Sequence, residues 1–210
     1  MPTDYFINRN GTVKIFVGLA DNIRNYFLKK TDDSEYFNLI TLELNEANLV
    51  KFPDRMNFFD RYGVVDTGGK NNQVVHGKGD HYLLPDVAAH LFGLAAVLKD
   101  SYGIHISFGD MSADNGTDPW SKGFADHSGH GHGSRKGIDI DFRYINHAGH
   151  RFHGYMNDKQ FSVEKNQLVY RIAELFGFRV NYQGKMSKLS GIPTAGGHDD
   201  HGHLGFGSHR

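Results

Sequence analysis

Residues 138–145 predict a β-strand whose two faces differ in chemistry, because their side chains alternate between apolar and charged. One face carries Asp139, Asp141 and Arg143. The other face carries only apolar and aromatic side chains, which are Ile138, Ile140, Phe142 and Tyr144. Two carboxylates are costly to bury unless they are paired. The strand therefore either turns its charged face to solvent or directs it at a metal ion or a substrate.

A second segment, His198-Asp199-Asp200-His201-Gly202-His203, places three histidines beside two carboxylates late in the chain. Residues two apart in an extended chain share a face, so His201 and His203 are expected to point the same way. Neutral imidazole is a common ligand for zinc and similar metals. Because ten of the 14 histidines lie between His127 and His209, the second half of the chain is where a metal site is expected.

Composition restricts the chemistry of such a site. The chain has no cysteine, so any metal must be held by histidine and carboxylate. The formal net charge of -1, without long runs of one sign, argues against a nucleic-acid partner. No run approaches the roughly 18 apolar residues of a membrane span, and Met1–Phe6 lacks the pattern of a signal peptide. We therefore expect no membrane span; the sequence does not indicate an oligomeric state.

The local patterns predict both strands and helices. Alternation predicts strands over residues 12–17, 36–44 and 104–108, and residues 21–30 are interpreted as a short helix. Longer helices are predicted in two places, one opening at Pro85 and one over Val163–Phe176. Ser162 is suited to cap the second of these helices.

Two segments resemble the zinc motifs of the lysostaphin/D-Ala-D-Ala metallopeptidase (LAS) superfamily, most closely those of penicillin-insensitive murein endopeptidases. Gly137-Ile138-Asp139-Ile140-Asp141 is similar to the family's G-L-D-V-D, and the His198 run matches its late H-x-x-H-x-H spacing. Phe108–Met111 resembles the strand end before the zinc loop, and the similarity covers roughly residues 80–206. The resemblance implies an α+β fold, with a central antiparallel sheet, flanking helices and a zinc site on the sheet. It assigns residues 61–210 to the metallopeptidase domain and leaves 1–60 as a small packing or docking element.

The resemblance also implies a site with one zinc ion per chain. Its ligands would be His132, His203 and one of the two strand aspartates, with His201 and His198 acting beside the bound water. His130 would orient a ligand, and Arg143 or Arg135 would bind a substrate carboxylate.

The choice between Asp139 and Asp141 stays open at the level of sequence. Ser134 stands where the family has its first histidine, if Gly137 is aligned with the family's glycine. His132 and Asp139 have the H-x(6)-D spacing themselves, whereas pairing His132 with Asp141 keeps Gly137 in place. The second alignment is slightly preferred, although both aspartates lie on one face of the strand.

The function that the resemblance implies is that of a zinc-dependent peptidoglycan endopeptidase, which hydrolyses the peptide cross-links of bacterial cell wall with a metal-activated water. The alternative is a non-catalytic metal-binding protein, because His-rich tracts such as Gly129–Gly133 bind metals without catalysis. Without a visible signal peptide, a wall hydrolase would be exported by another route to the periplasm or cell wall, or be a phage lysin or a delivered antibacterial effector.

Overall fold

The computed structural model describes residues 1–19, 21–31, 35–63, 79–118 and 135–207. Within these ranges the chain is an α+β protein with two helices, two larger sheets and a small two-stranded sheet. The α+β class expected from the sequence is confirmed. No helix of the described ranges is both long and apolar enough to cross a membrane.

The first sheet contains four strands: β1 (Thr3–Ile7), β2 (Val13–Phe16), β3 (Ile23–Lys29) and β4 (Tyr36–Glu43). Their order is β2-β1-β3-β4, with β1 and β3 parallel and the other two pairs antiparallel. The strands predicted over 12–17 and 36–44 are confirmed. The short helix predicted over 21–30 is wrong, because that segment is β3. Tyr26 and Leu28 point into the core two residues apart, which is the period of a strand, and β3 gains backbone partners on both sides.

The second sheet contains five strands: β6 (Arg55–Met56), β7 (Phe59–Arg61), β9 (Ile106–Phe108), β10 (Asp139–Arg143) and β11 (His201–Gly205). Their order is β11-β10-β9-β7-β6. The expected antiparallel pairing holds from β11 to β9, but β7 runs parallel to β9, so the sheet is mixed. The remaining strands, β5 (Val50–Lys51) and β8 (Tyr82–Leu83), form the small sheet.

Strands from before residue 62 take part in both larger sheets. β6 and β7 lie in residues 55–61, yet they belong to the sheet that carries β10 and β11. The boundary at residue 60 stays a prediction.

Helix α1 (Pro85–Tyr102) contacts strands of both larger sheets. Val87–Ala89 and Leu91–Leu98 are all buried, because the helix is covered on several sides. Pro85 opens the helix and Gly103 ends it in the left-handed conformation, at φ 66°.

Helix α2 (Val163–Leu175) has Ser162 as its N-cap, as predicted. The Ser162 side chain accepts a hydrogen bond from the Lys165 amide.

The apolar face of β10 packs into the core and fixes the direction of its other face. Ile140 and Phe142 are fully buried, and the Phe142 ring meets the Tyr170 ring of α2 edge-on, with centroids 5.4 Å apart. The charged face of β10 consequently points away from α2, together with the side chains that β11 places beside it.

Candidate metal centre

The pairing of β10 with β11 brings the two sequence motifs together. Asp141 lies directly opposite His203, and Arg143 lies opposite His201. Directly opposed residues of an antiparallel pair share a face, so all four side chains project from the same side of the sheet. Asp139, Asp141 and His203 are buried, with at most 3% of their surface exposed. The charged face of β10 is therefore not a solvated surface.

His203 lies between the two strand carboxylates. Its Nδ1 is 3.2 Å from Oδ1 of Asp141, and its Nε2 is 3.1 Å from Oδ1 of Asp139. A neutral imidazole donates through one ring nitrogen and accepts through the other. A cation at one ring nitrogen would leave the other nitrogen to donate to its carboxylate, so that both contacts of His203 are used.

Asp139 is bound at both oxygens by Arg135. The Arg135 Nε donates to Oδ2 at 2.7 Å, and a second guanidinium nitrogen donates to Oδ1. Gly205, opposite Asp139, leaves room for this pair, since a Cβ there would lie 2.8 Å from Oδ1 of Asp139 and also contact Arg135. The Arg135 fork, predicted to bind a substrate carboxylate, is engaged with Asp139 in this structure.

His201 lies between the Asp141 and Asp200 carboxylates. Its Nδ1 is 2.8 Å from Oδ1 of Asp200, and its Nε2 is 3.4 Å from Oδ2 of Asp141. Burial lowers the pKa of His201, but Asp141, Asp200 and Asp110 together raise it by more, so the pKa lies above its ordinary value. The hydrogen bond from His201, together with Arg143, holds the pKa of Asp200 far below its ordinary value.

His198 completes a group that could hold a metal ion. One ligand atom each from Asp141, His198 and His203 lies within 4.8 Å of the others. The Nδ1 of His198 is 3.0 Å from the carbonyl oxygen of Gly196. When Nδ1 donates to that carbonyl, Nε2 carries the lone pair that a metal requires. Burial lowers the pKa of His198, which favours the neutral ring.

The guanidinium of Arg143 contacts two residues, Asp200 and Tyr62. It donates to the Asp200 carboxylate and, at 3.2 Å, to the Asp200 carbonyl oxygen. Its central carbon also lies 4.5 Å from the centroid of the Tyr62 ring. Asp200 and Tyr62 were not among the residues predicted from the sequence. Asp200 adjoins His201 and could have been suspected for that reason, whereas no local pattern marks Tyr62.

The structure brings together some of the predicted site residues, whereas others lie outside the residues it describes. Within the described ranges the structure brings Asp139, Asp141, His198, His201 and His203 together on one face of β10 and β11. His130 and His132 lie outside the described residues, so their assigned roles stay predictions. Of the two aspartates, only Asp141 belongs to the metal-capable group found among the described residues.

No protein-family model matches the chain, and no curated protein matches its sequence. The resemblance to the LAS superfamily accordingly rests on the sequence motifs alone.

Proposed function

We propose that this chain is a zinc-dependent peptidase that hydrolyses peptide cross-links of bacterial cell wall. The observation that carries the proposal is the placement of His203, with one ring nitrogen at Asp141 and the other at Asp139. A histidine that binds zinc through one nitrogen commonly donates its other N–H to a carboxylate. Each of these two aspartates therefore has a distinct role to fill.

The distance between Asp141 and His203 fits two ligands of one zinc ion. Zinc binds histidine nitrogen and carboxylate oxygen at about 2.0–2.2 Å in tetrahedral geometry, which separates two ligand atoms by about 3.3 Å. Oδ1 of Asp141 and Nδ1 of His203 are 3.2 Å apart. Nε2 of His198 is our proposed third ligand atom. His132 stays a predicted ligand, and the two histidines can be tested against each other.

Asp139 fits the role of an orienting carboxylate better than that of a ligand. Both of its oxygens accept from Arg135, and Oδ1 also faces Nε2 of His203. A carboxylate held in this way fixes the ring orientation of the histidine and raises its basicity as a ligand. We therefore assign the metal to Asp141 and the orienting role to Asp139.

His201 is suited to move the proton during hydrolysis. Its Nδ1 is engaged by Asp200, so Nε2 is presented toward Asp141 and the metal-capable group. Zinc, when bound, acidifies a water molecule and polarises the scissile carbonyl. As the water oxygen bonds to the carbonyl carbon, Nε2 of His201 takes its proton, and it returns that proton to the amine as the C–N bond breaks.

The substrate class comes from the motif resemblance. Within that class the site is compatible with a phage lysin, a delivered effector or an enzyme exported by another route. The decisive experiment incubates purified peptidoglycan with the zinc-free protein, with and without one equivalent of zinc, and measures newly released amino termini. We expect hydrolysis only with zinc, loss with chelator, and normal activity in His147→Ala, whose side chain is exposed. Tight zinc binding without any hydrolysis would instead support the non-catalytic metal-binding alternative.

A further inference from the structure

We propose that Tyr62 is a positioning residue for His201, acting through Arg143 and Asp200. The inference rests on the proposed function and adds a residue that lies far from both motifs in the sequence. It follows from a continuous series of contacts on the charged side of the second sheet.

The first contact in the series joins Tyr62 to Arg143. The Arg143 guanidinium carbon lies 4.5 Å from the Tyr62 ring centroid, within the range of a cation–π interaction. The Nε of Arg143 is buried and makes no hydrogen bond within the described part of the chain. The ring face therefore stabilises a cation that is only partly satisfied by hydrogen bonds.

The next contacts connect Arg143 to His201 through Asp200. One guanidinium nitrogen of Arg143 binds both the carboxylate and the carbonyl oxygen of Asp200, which fixes that residue at two points. The other carboxylate oxygen of Asp200 lies 2.8 Å from Nδ1 of His201. With Nδ1 held there, the imidazole is oriented so that Nε2 faces Asp141.

Tyr62 is itself firmly placed. Its amide donates to the Phe108 carbonyl at 2.9 Å, and the ring tip packs against the backbone of Gly109. A Cβ at Gly109 would lie 2.7 Å from Cε1 of Tyr62, so only glycine leaves room for the ring. The Gly109 amide donates to the Asp141 carbonyl at 2.7 Å. The ring is thus anchored to the same strand that supplies Asp141.

This arrangement changes the role expected for Arg143. A guanidinium that binds a substrate carboxylate through two parallel hydrogen bonds needs two neighbouring donors. In Arg143, Nη1 is committed to Asp200, Nε is buried and the planar face is covered by Tyr62, so neither pair of neighbouring donors is open to a substrate. Arg143 connects the aromatic ring to the proton-transfer histidine.

The test compares Tyr62→Leu with Tyr62→Phe, which keeps the ring, and with Tyr102→Leu as an exposed control. With cross-linked muropeptides, we expect Tyr62→Leu to lower kcat about tenfold while KM and bound zinc stay unchanged. Tyr62→Phe should restore most of the lost kcat. Adding Tyr62→Leu to Asp200→Ala should cause no further loss, because both changes act through His201. Equal losses in Leu and Phe variants, additive losses, or a normal Tyr62→Leu enzyme would each overturn the proposal.

A second readout separates this proposal from the proposed function. In the zinc-free protein at fixed pH, ¹⁵N NMR should show the Nδ1-bound proton of His201 in the wild type and in Tyr62→Phe. The signal should be lost or broadened by exchange in Tyr62→Leu and in Asp200→Ala. If the wild type fails to cut muropeptides, the proposed function fails while this measurement still decides the role of Tyr62. An unchanged signal in Tyr62→Leu would contradict that role.

Discussion

Replacing Asp139 and Asp141 separately by alanine should affect zinc binding to very different extents. Asp139 is assigned to orient His203, and loss of such a carboxylate typically weakens metal binding about 10–100-fold, or about 1.4–2.8 kcal/mol. Asp141 is assigned as a ligand. If three ligands share the roughly 10–16 kcal/mol of a structural zinc site, one contributes about 3–5 kcal/mol, or about 10²–10⁴-fold in affinity.

The assay for this prediction is competition with a chromophoric chelator at pH 7.5, on protein shown to be folded by thermal unfolding. The fold check matters for Asp139→Ala, because Arg135 then loses the partner that occupies its fork. Arg135 retains 24% side-chain exposure, so water can solvate part of the freed charge and the loss of stability should fall short of a fully buried pair. His147→Ala serves as the exposed control. If Asp139→Ala weakens zinc binding more than Asp141→Ala does, the two assignments are reversed.

Three further predictions follow from the same contacts. His198→Ala should weaken zinc binding more than His132→Ala in the chelator assay, since His198 belongs to the described metal-capable group; the opposite order would restore the ligand set implied by the sequence. Gly205→Ala should lower the free energy of unfolding by about 1–3 kcal/mol in denaturant titrations, because its Cβ would press on Asp139; an unchanged midpoint would contradict this contact. Asp200 has a lowered folded pKa, so its stabilising contribution is present above the unfolded pKa of about 3.9 and is lost as the pH falls below it. The stability difference between wild type and Asp200→Asn should accordingly shrink between about pH 5 and pH 2, and a difference that grows on acidification would refute the assignment.

The sequence predicts the face on which the site is built. Strict alternation in β10 places Asp139 and Asp141 together, and spacing of two in β11 does the same for His201 and His203. These features are local, so a single strand pattern suffices to reveal them. The resemblance implies that the two segments meet at one site. The register that sets Asp141 against His203 depends on long-range pairing, which neither the motifs nor the strand patterns predict.

The features that the sequence does not predict depend on contacts between distant segments of the chain. The sequence of residues 21–30 predicts a short helix, but its short apolar pattern fits a strand equally well, and pairing with β1 and β4 makes this segment β3. The division of roles between the two aspartates depends on Arg135, which occupies one of them. Tyr62 meets Arg143 only because β7 joins the site's own sheet beside β9.

The most direct test of the central claim is a zinc anomalous-scattering map of the crystallised protein. We predict one strong peak per chain, contacting the Asp141 carboxylate and Nδ1 of His203, with Asp139 hydrogen-bonded to Nε2 on the far side of the same imidazole. A peak ligated by Asp139 in place of Asp141, several weak peaks spread over other histidines, or no peak at Asp141 and His203 after zinc loading would contradict it.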